Sequence, residues 1–85
     1  MEIVLTEKAK EGLAFWKNSG TKAVLKKIRS LLESIGETPF EGIGKPEPLR
    51  YGMAGLWPRR ISQEHRLVYF VENETVTVIQ LRYHY

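Results

Sequence analysis

Residues 44–69 read GKPEPLRYGMAGLWPRRISQEHRLVY, and their charge sets them apart from the rest of the chain. From Lys45 to Arg66 there are five Lys or Arg residues against two Glu, a net charge of +3 that equals the net charge of all 85 residues. One carboxylate, Glu47, stands between two prolines, which restrict the backbone around it. A cationic strip around one fixed carboxylate favours an anionic partner.

This stretch also marks the change from helix to strand. Four strands are predicted from it onward, over residues 49–53, 57–62, 66–71 and 75–83. Turns as short as those between them favour antiparallel neighbours. A further short strand is predicted at the start of the chain, over residues 2–5.

Two helices are predicted between the first strand and this stretch. Thr6 and Thr21 are placed to cap them, and Gly36 is expected just past the end of the second. Apolar residues recur at helical spacing along each, at Ala9, Leu13 and Trp16 and at Val24, Ile28, Leu31 and Ile35. The element order β-α-α-β-β-β-β predicts an α+β fold with two helices packed on an antiparallel-rich sheet.

Length and composition favour a single small domain over residues 1–85. The isoelectric point of about 9.3 suits an acidic partner such as nucleic acid. The lack of cysteine excludes disulfides and thiolate chemistry. Neither a signal peptide nor an apolar run of about 18 residues is found, and together with the lack of cysteine this favours a cytoplasmic location. His65 and His84 are far apart and the chain has no Asp, a poor ligand set, so no metal or other cofactor is expected.

The predicted strands place several charges on one surface. Alternation separates Arg60 from Arg59. The predicted strands place Arg60, Arg66 and His84 on adjacent strands, where they could bind a phosphate. RNA cleavage without a metal needs a base for the ribose 2′-hydroxyl, cations for the phosphorane and an acid for the 5′-oxygen. Glu47 or His84 could be the base, Arg66 the cation, and His84 or Tyr85 the acid.

Each candidate also has a structural alternative. Glu47 could pair with Arg50 or cap a turn, and Arg59 and Arg60 could protect an edge strand from aggregation. Arg66 could be solvated, His65 could serve only its turn, and the last two residues could be a frayed end. Composition and spacing alone predict no more than a small basic α+β domain that binds RNA or an acidic partner.

Three motifs narrow this prediction. TPFEG-x-GKPEPL over residues 38–49, G-x-W-x-RRI-x-x-EHRLVY over 55–69, and the terminal RYHY closely resemble the YoeB/Txe toxins. These toxins belong to the RelE superfamily of bacterial type II toxin–antitoxin systems. Two residues depart from the family pattern: Arg50 stands where lysine is common, and Pro58 where a small polar residue is usual, which indicates an edge or bulge.

The resemblance implies a RelE-like, microbial-RNase-type fold and a ribosome-dependent endoribonuclease, or mRNA interferase. Such an enzyme cleaves mRNA in the A site of the 70S ribosome without a metal and inhibits translation. By motif position, Glu47 takes the general-base place, Arg66 the phosphate-stabilising place, His84 the acid–base or orienting place and Tyr85 the terminal tyrosine place. The RNA-binding candidates are Lys45, Arg50, Arg59 and Arg60.

The resemblance also implies partners. An acidic antitoxin of the YefM/Axe kind is expected to cover the site, and the pair is expected to bind operator DNA; a homodimer is left open beside a monomer. Two rival functions remain: a non-enzymatic toxin of the gyrase-inhibitor type on the same fold, or a basic module that binds RNA or the ribosome.

Overall fold

A mixed four-stranded sheet and two helices make up residues 1–44 and 55–83, the part of the chain that the structure, a computed structural model, describes. The elements are β1 (Glu2–Leu5), α1 (Glu7–Ser19), α2 (Lys22–Glu37), β2 (Trp57–Arg60), β3 (Arg66–Glu72) and β4 (Thr75–Gln80). The predicted α+β class is confirmed. The strand predicted over residues 49–53 lies outside the described residues.

Both helices begin at the predicted threonines. Thr6 Oγ1 accepts a hydrogen bond from Ala9 N at 3.2 Å, and Thr21 Oγ1 accepts one from Val24 N at 3.2 Å. Each such cap contributes about 1 kcal/mol, because it satisfies a backbone donor that the helix itself leaves unpaired.

The predicted end of α2 at Gly36 was wrong. The helix continues through Glu37, and Thr38 is the C-cap, with its amide donating to Ser34 O at 2.8 Å. A Cβ at Gly36 would lie 3.6 Å from Ile3 Cδ1, so the glycine lies against β1 instead of forming a left-handed cap.

The strand order in the sheet is β1-β4-β3-β2. β2 and β4 each pair antiparallel with β3, as short turns require. β1 pairs parallel with β4, with Ile3 opposite Val76, which the sequence did not reveal. A parallel neighbour needs a long connection, and here the whole of the intervening chain provides it.

The helices cover one face of this sheet. Ile28, Leu31 and Ile35 of α2 are buried with Ala9 and Trp16 of α1, as their spacing predicted, whereas Leu13 and Val24 are only partly buried. They pack against sheet residues of that face, Leu67, Tyr69, Val76 and Val78. Val68 is also buried but is not in this cluster, so it lies with Arg66 on the opposite face.

The last predicted strand ends earlier than expected. β4 stops at Gln80 rather than at residue 83, because Trp16 Nε1 donates to Leu81 O at 2.7 Å and Tyr83 has a left-handed backbone with φ of 71°. Arg82 leaves the strand alternation and stacks on the ring of Phe15, with Cζ 3.4 Å from the ring centroid. No helix among residues 1–44 and 55–83 is long and apolar enough to cross a membrane.

Candidate nucleic-acid interface

Arg60 and Arg66 lie opposite each other on β2 and β3. Their amides point away from each other, since Arg60 N donates to Gly44 O at 2.9 Å and Arg66 N donates to Tyr83 O at 2.9 Å. They therefore form a non-hydrogen-bonded antiparallel pair, whose side chains lie close together on one face of the sheet. This arginine pair confirms that Arg60 and Arg66 lie on adjacent strands, as predicted.

The arginine pair also holds the ends of two segments that carry predicted catalytic residues. Gly44 comes three residues before Glu47 in the sequence, and Tyr83 comes immediately before His84. Gly44 is bonded to the pair on one side and Tyr83 on the other. Residues 45–54 therefore follow a residue that is bonded to one arginine of the pair. The last two residues follow a residue that is bonded to the other.

Five of the predicted site residues fall outside the described part of the chain. They are Lys45, Glu47, Arg50, His84 and Tyr85. Their assigned roles stay predictions.

The Arg66 side chain is anchored to the turn before β3. Nη1 donates to Ser62 O at 2.7 Å, to His65 O at 3.1 Å and to Gln63 O at 3.2 Å. Burial, and then the positive charge of Arg60, lower the pKa of the Arg66 guanidinium, which still remains protonated. Because the two like charges repel each other, an anion bound between them would be stabilised.

Arg59 does not lie on this basic surface. It is 0% exposed and points to the face that the helices cover, while the next residue, Arg60, is exposed. Strand alternation is the physical reason for the difference. The structure thus corrects the prediction that Arg59 contacts RNA, because its hydrogen-bonding groups are used inside the protein.

Arg59 instead organises the loop from Thr38 to Gly44. All five of its N–H donors are bonded to neutral oxygen atoms. Nε donates to Tyr69 Oη at 3.1 Å, Nη1 to Ser34 Oγ and Ile43 O at 2.9 Å, and Nη2 to Thr38 O at 2.8 Å and Glu41 O at 2.9 Å. Loop, helix α2 and sheet are therefore joined at one guanidinium group.

The loop passes so close to this group that glycine is required. Gly42 has a φ of 119°, and a Cβ there would lie 2.6 Å from Ser34 Oγ and 3.2 Å from Arg59 Nη1. Gly44, with a φ of 84°, would bring a Cβ to 2.8 Å from Leu31 Cδ2. Both positions combine a left-handed backbone with too little space for a side chain.

Tyr69 completes the buried network. Its hydroxyl accepts from Arg59 Nε and donates to Pro39 O. Burial raises the pKa of the Tyr69 phenol against the opposing influence of Arg59, so the phenol remains a neutral donor. The sequence places Tyr69 within a predicted strand but does not indicate that its hydroxyl is hydrogen-bonded.

Trp16 and His65 were predicted as a core residue and a turn residue, and the structure gives both a second role. Trp16 Nε1 donates to Leu81 O at 2.7 Å, and His65 Nδ1 accepts from Tyr83 N at 2.9 Å. Together they hold the chain just before its last two residues. Apolar spacing marks Trp16 as buried, but no sequence pattern shows which carbonyl its indole reaches.

Several solved structures of bacterial toxins share this architecture. A YoeB/ParE toxin from Agrobacterium tumefaciens superposes with a TM-score of 0.93 at 42% identity, covering 100% of both chains. Staphylococcus aureus YoeB, solved as a dimer and in complex with YefM, gives TM-scores of 0.89 and 0.87 at 38% identity, over 100% of this chain and 98% of those. The fold is thus that of the small RelE-like toxins.

The sequence identifies the family within this class. Residues 5–85 match the family described as YoeB-like toxin of bacterial type II toxin-antitoxin system. Toxin YoeB of Escherichia coli (strain K12) is 41% identical over 85 residues, 100% of both chains. The chain belongs to the YoeB family of type II toxins, which confirms the resemblance carried by its motifs and extends it toward the N-terminus.

We expect Arg59→Met to lower the free energy of unfolding by roughly 3 kcal/mol or more, because it leaves several buried oxygens without a donor. Arg59→Lys should cost less but remain clearly destabilising, since an ammonium has only three N–H donors for five acceptors. Arg60→Met, one residue away on the exposed face, should change stability by no more than about 0.5 kcal/mol. Urea unfolding followed by tryptophan fluorescence measures all three, and an Arg59→Met variant as stable as Arg60→Met would contradict the anchor role.

Proposed function

We propose that this protein is a ribosome-dependent endoribonuclease that cleaves mRNA in the ribosomal A site and so stops translation. The observation that carries the proposal is the arginine pair, bonded through its backbone to Gly44 and Tyr83. Two arginines that lie opposite each other on neighbouring strands favour a phosphate. The segments that follow Gly44 and Tyr83 carry the candidate acid and base. Membership of the YoeB toxin family supports the same function.

The proposed reaction uses the RNA's own 2′-hydroxyl as nucleophile. A base removes the 2′-proton, O2′ forms a bond to the adjacent phosphorus, and the bond from phosphorus to O5′ breaks. The departing O5′ receives a proton from an acid. The products are a 2′,3′-cyclic phosphate and a 5′-hydroxyl; one proton is removed and one is supplied, so this step consumes no co-reactant. Hydrolysis of the cyclic phosphate by one water molecule then gives a 3′-phosphate.

Four side chains supply these steps in the proposal. Glu47 or His84 takes the 2′-proton, and His84 or Tyr85 protonates O5′. Arg66 stabilises the extra negative charge of the phosphorane, because its guanidinium is held in one orientation through Nη1 before substrate arrives. Arg60 adds its charge from the neighbouring strand.

Substrate binding draws on more of the basic stretch. Lys45 and Arg50 flank Glu47 in the sequence and carry the charge needed for contacts with the RNA backbone. Arg59 takes no part in binding and supports the loop that leads to these residues.

A binding protein would use the same surface differently. A gyrase-inhibiting toxin of this fold, or a basic RNA- or ribosome-binding module, needs the arginine pair but has no use for an acid and a base. Only a nuclease should depend on Glu47 and His84, so these two residues separate the nuclease from the two binding functions.

We expect Glu47→Ala and His84→Ala each to slow mRNA cleavage by about 10²–10⁴-fold, because each removes a proton-transfer group. Arg66→Ala should slow cleavage by about 10²-fold or more, because it removes the cation that stabilises the phosphorane. The measurement is primer extension on mRNA that is being translated in a purified system, with rates taken under single-turnover conditions.

The matched control is Arg29→Ala, which removes one exposed cation from α2 and should cut normally. Cleavage at the wild-type rate by both Glu47→Ala and His84→Ala would refute the residue assignment. Ribosome binding or gyrase inhibition by the wild-type chain with no cut product would instead support one of the binding functions.

We further propose that an acidic antitoxin neutralises this chain by covering the arginine pair. A relative, Staphylococcus aureus YoeB, has been solved in complex with YefM and also as a dimer. The net charge of +3 favours an acidic partner segment. We also propose that the complex binds operator DNA and represses its own operon. The toxin itself acts in the cytoplasm, where the ribosomes are, and the free chain forms a homodimer as one of its states.

We expect this chain expressed alone to arrest growth, and an acidic protein encoded beside its gene to restore growth on co-expression. Charge reversal of the pair, Arg60→Glu with Arg66→Glu, should weaken antitoxin binding at least about 10-fold, since like charges then face each other. Calorimetric titration measures this affinity, with the double reversal Lys26→Glu and Arg29→Glu, two exposed residues of α2, as a charge-matched control. Unimpaired growth with the chain alone would count against the toxin function.

A further inference from the structure

We propose that His65 is a positioning residue for the last two residues of the chain. Its Nδ1 accepts a hydrogen bond from Tyr83 N at 2.9 Å. The carbonyl of Tyr83 accepts from Arg66 N at 2.9 Å and from Gln80 Nε2 at 3.2 Å. Both backbone polar groups of Tyr83 are thereby fixed, so the point from which His84 departs is fixed as well.

The backbone at Tyr83 shows why such a clamp is needed. Its φ of 71° lies in the left-handed region, which bulky side chains rarely adopt. A residue stays there only when surrounding bonds hold it. The left-handed turn takes the chain away from the line of β4, and His65 supplies the bond to its amide.

His65 is itself held from two sides. Its ring meets the buried ring of Trp16 edge to face, with centroids 4.9 Å apart and planes at 88°. Its carbonyl accepts from Ile61 N at 3.0 Å and from Ser62 N at 3.2 Å. Ring and backbone are both fixed, so the lone pair of Nδ1 is directed at one place.

The chemistry of the bond defines the substitutions that test it. Because a backbone amide can only donate, Nδ1 must carry a lone pair, and a neutral ring then has its proton on Nε2. Asparagine keeps an acceptor at nearly the same place, since its Oδ1 is bonded to Cγ as Nδ1 is in histidine. Phenylalanine keeps a ring against Trp16 but has no acceptor, so the two variants separate hydrogen bonding from packing.

The effect on activity rests on the proposed cleavage, which gives the tail its chemical role. In that reaction a displacement of about 1 Å in a catalytic group costs on the order of 100-fold in rate. We therefore expect His65→Phe to lose about 100-fold in single-turnover cleavage with ribosome affinity nearly unchanged, and His65→Asn to retain most of the rate.

The experiment pairs this cleavage assay with amide hydrogen exchange at Tyr83, measured by NMR on the free protein. Tyr83 should be protected in the wild type and in His65→Asn, and should exchange faster in His65→Phe. Gln63→Ala, an exposed change in the same turn, is the control and should match the wild type in both assays.

Equal cleavage by His65→Phe and wild type, or a His65→Asn variant as slow as His65→Phe, would overturn the positioning role. The exchange measurement needs no activity, so it tests the clamp even if the wild type cuts no mRNA. If the wild type cuts no mRNA, the proposed nuclease function fails. If the Tyr83 amide exchanges equally fast in all variants, the proposed hydrogen-bond clamp is refuted.

Discussion

A buried arginine that is bonded only to neutral oxygens is the interaction on which the rest of this structure depends. Burying a charge costs several kcal/mol unless hydrogen bonds replace the lost water. Arg59 meets this condition with five bonds, which come from α2, from Tyr69 on β3 and from three carbonyls of the loop that ends at Gly44. Any movement of that loop would uncover part of the charge, so the loop is held although it has no regular structure.

The next residue along the strand has the opposite role. Arg60 is exposed and lies opposite Arg66, so one of two neighbouring arginines is an internal anchor and the other is on the surface for which we propose anion binding. The loop that Arg59 holds is bonded to this pair at Gly44. The end of the chain that His65 holds is bonded to the pair at Tyr83. A small domain without disulfides can in this way fix the starting points of two segments whose proposed acid and base lie a few residues further on in the sequence.

Features decided within a few residues could be predicted from the sequence, and features decided by distant contacts could not. The threonine caps and the buried stripe of α2 follow from local spacing. Alternation separates Arg59 from Arg60, but both are arginine, and distant contacts such as the bond of Arg59 to Ser34, 25 residues away, decide which one is inside. The parallel pairing of β1 with β4 and the early end of β4 depend likewise on contacts across most of the chain. The physical patterns predicted the fold class and a basic surface, whereas the resemblance of the motifs also predicted the family.

Cleavage through the ribose 2′-hydroxyl is the central chemical claim for this surface. It is tested most directly by an mRNA with one 2′-deoxynucleotide on the 5′ side of the mapped scissile phosphate, translated in the presence of the toxin. We expect the all-ribose message to be cut to a cyclic or 3′-phosphate and a 5′-hydroxyl, and the deoxy message to remain intact at that phosphate, because it lacks the nucleophile. Cleavage of the deoxy message at the same phosphate would contradict the mechanism.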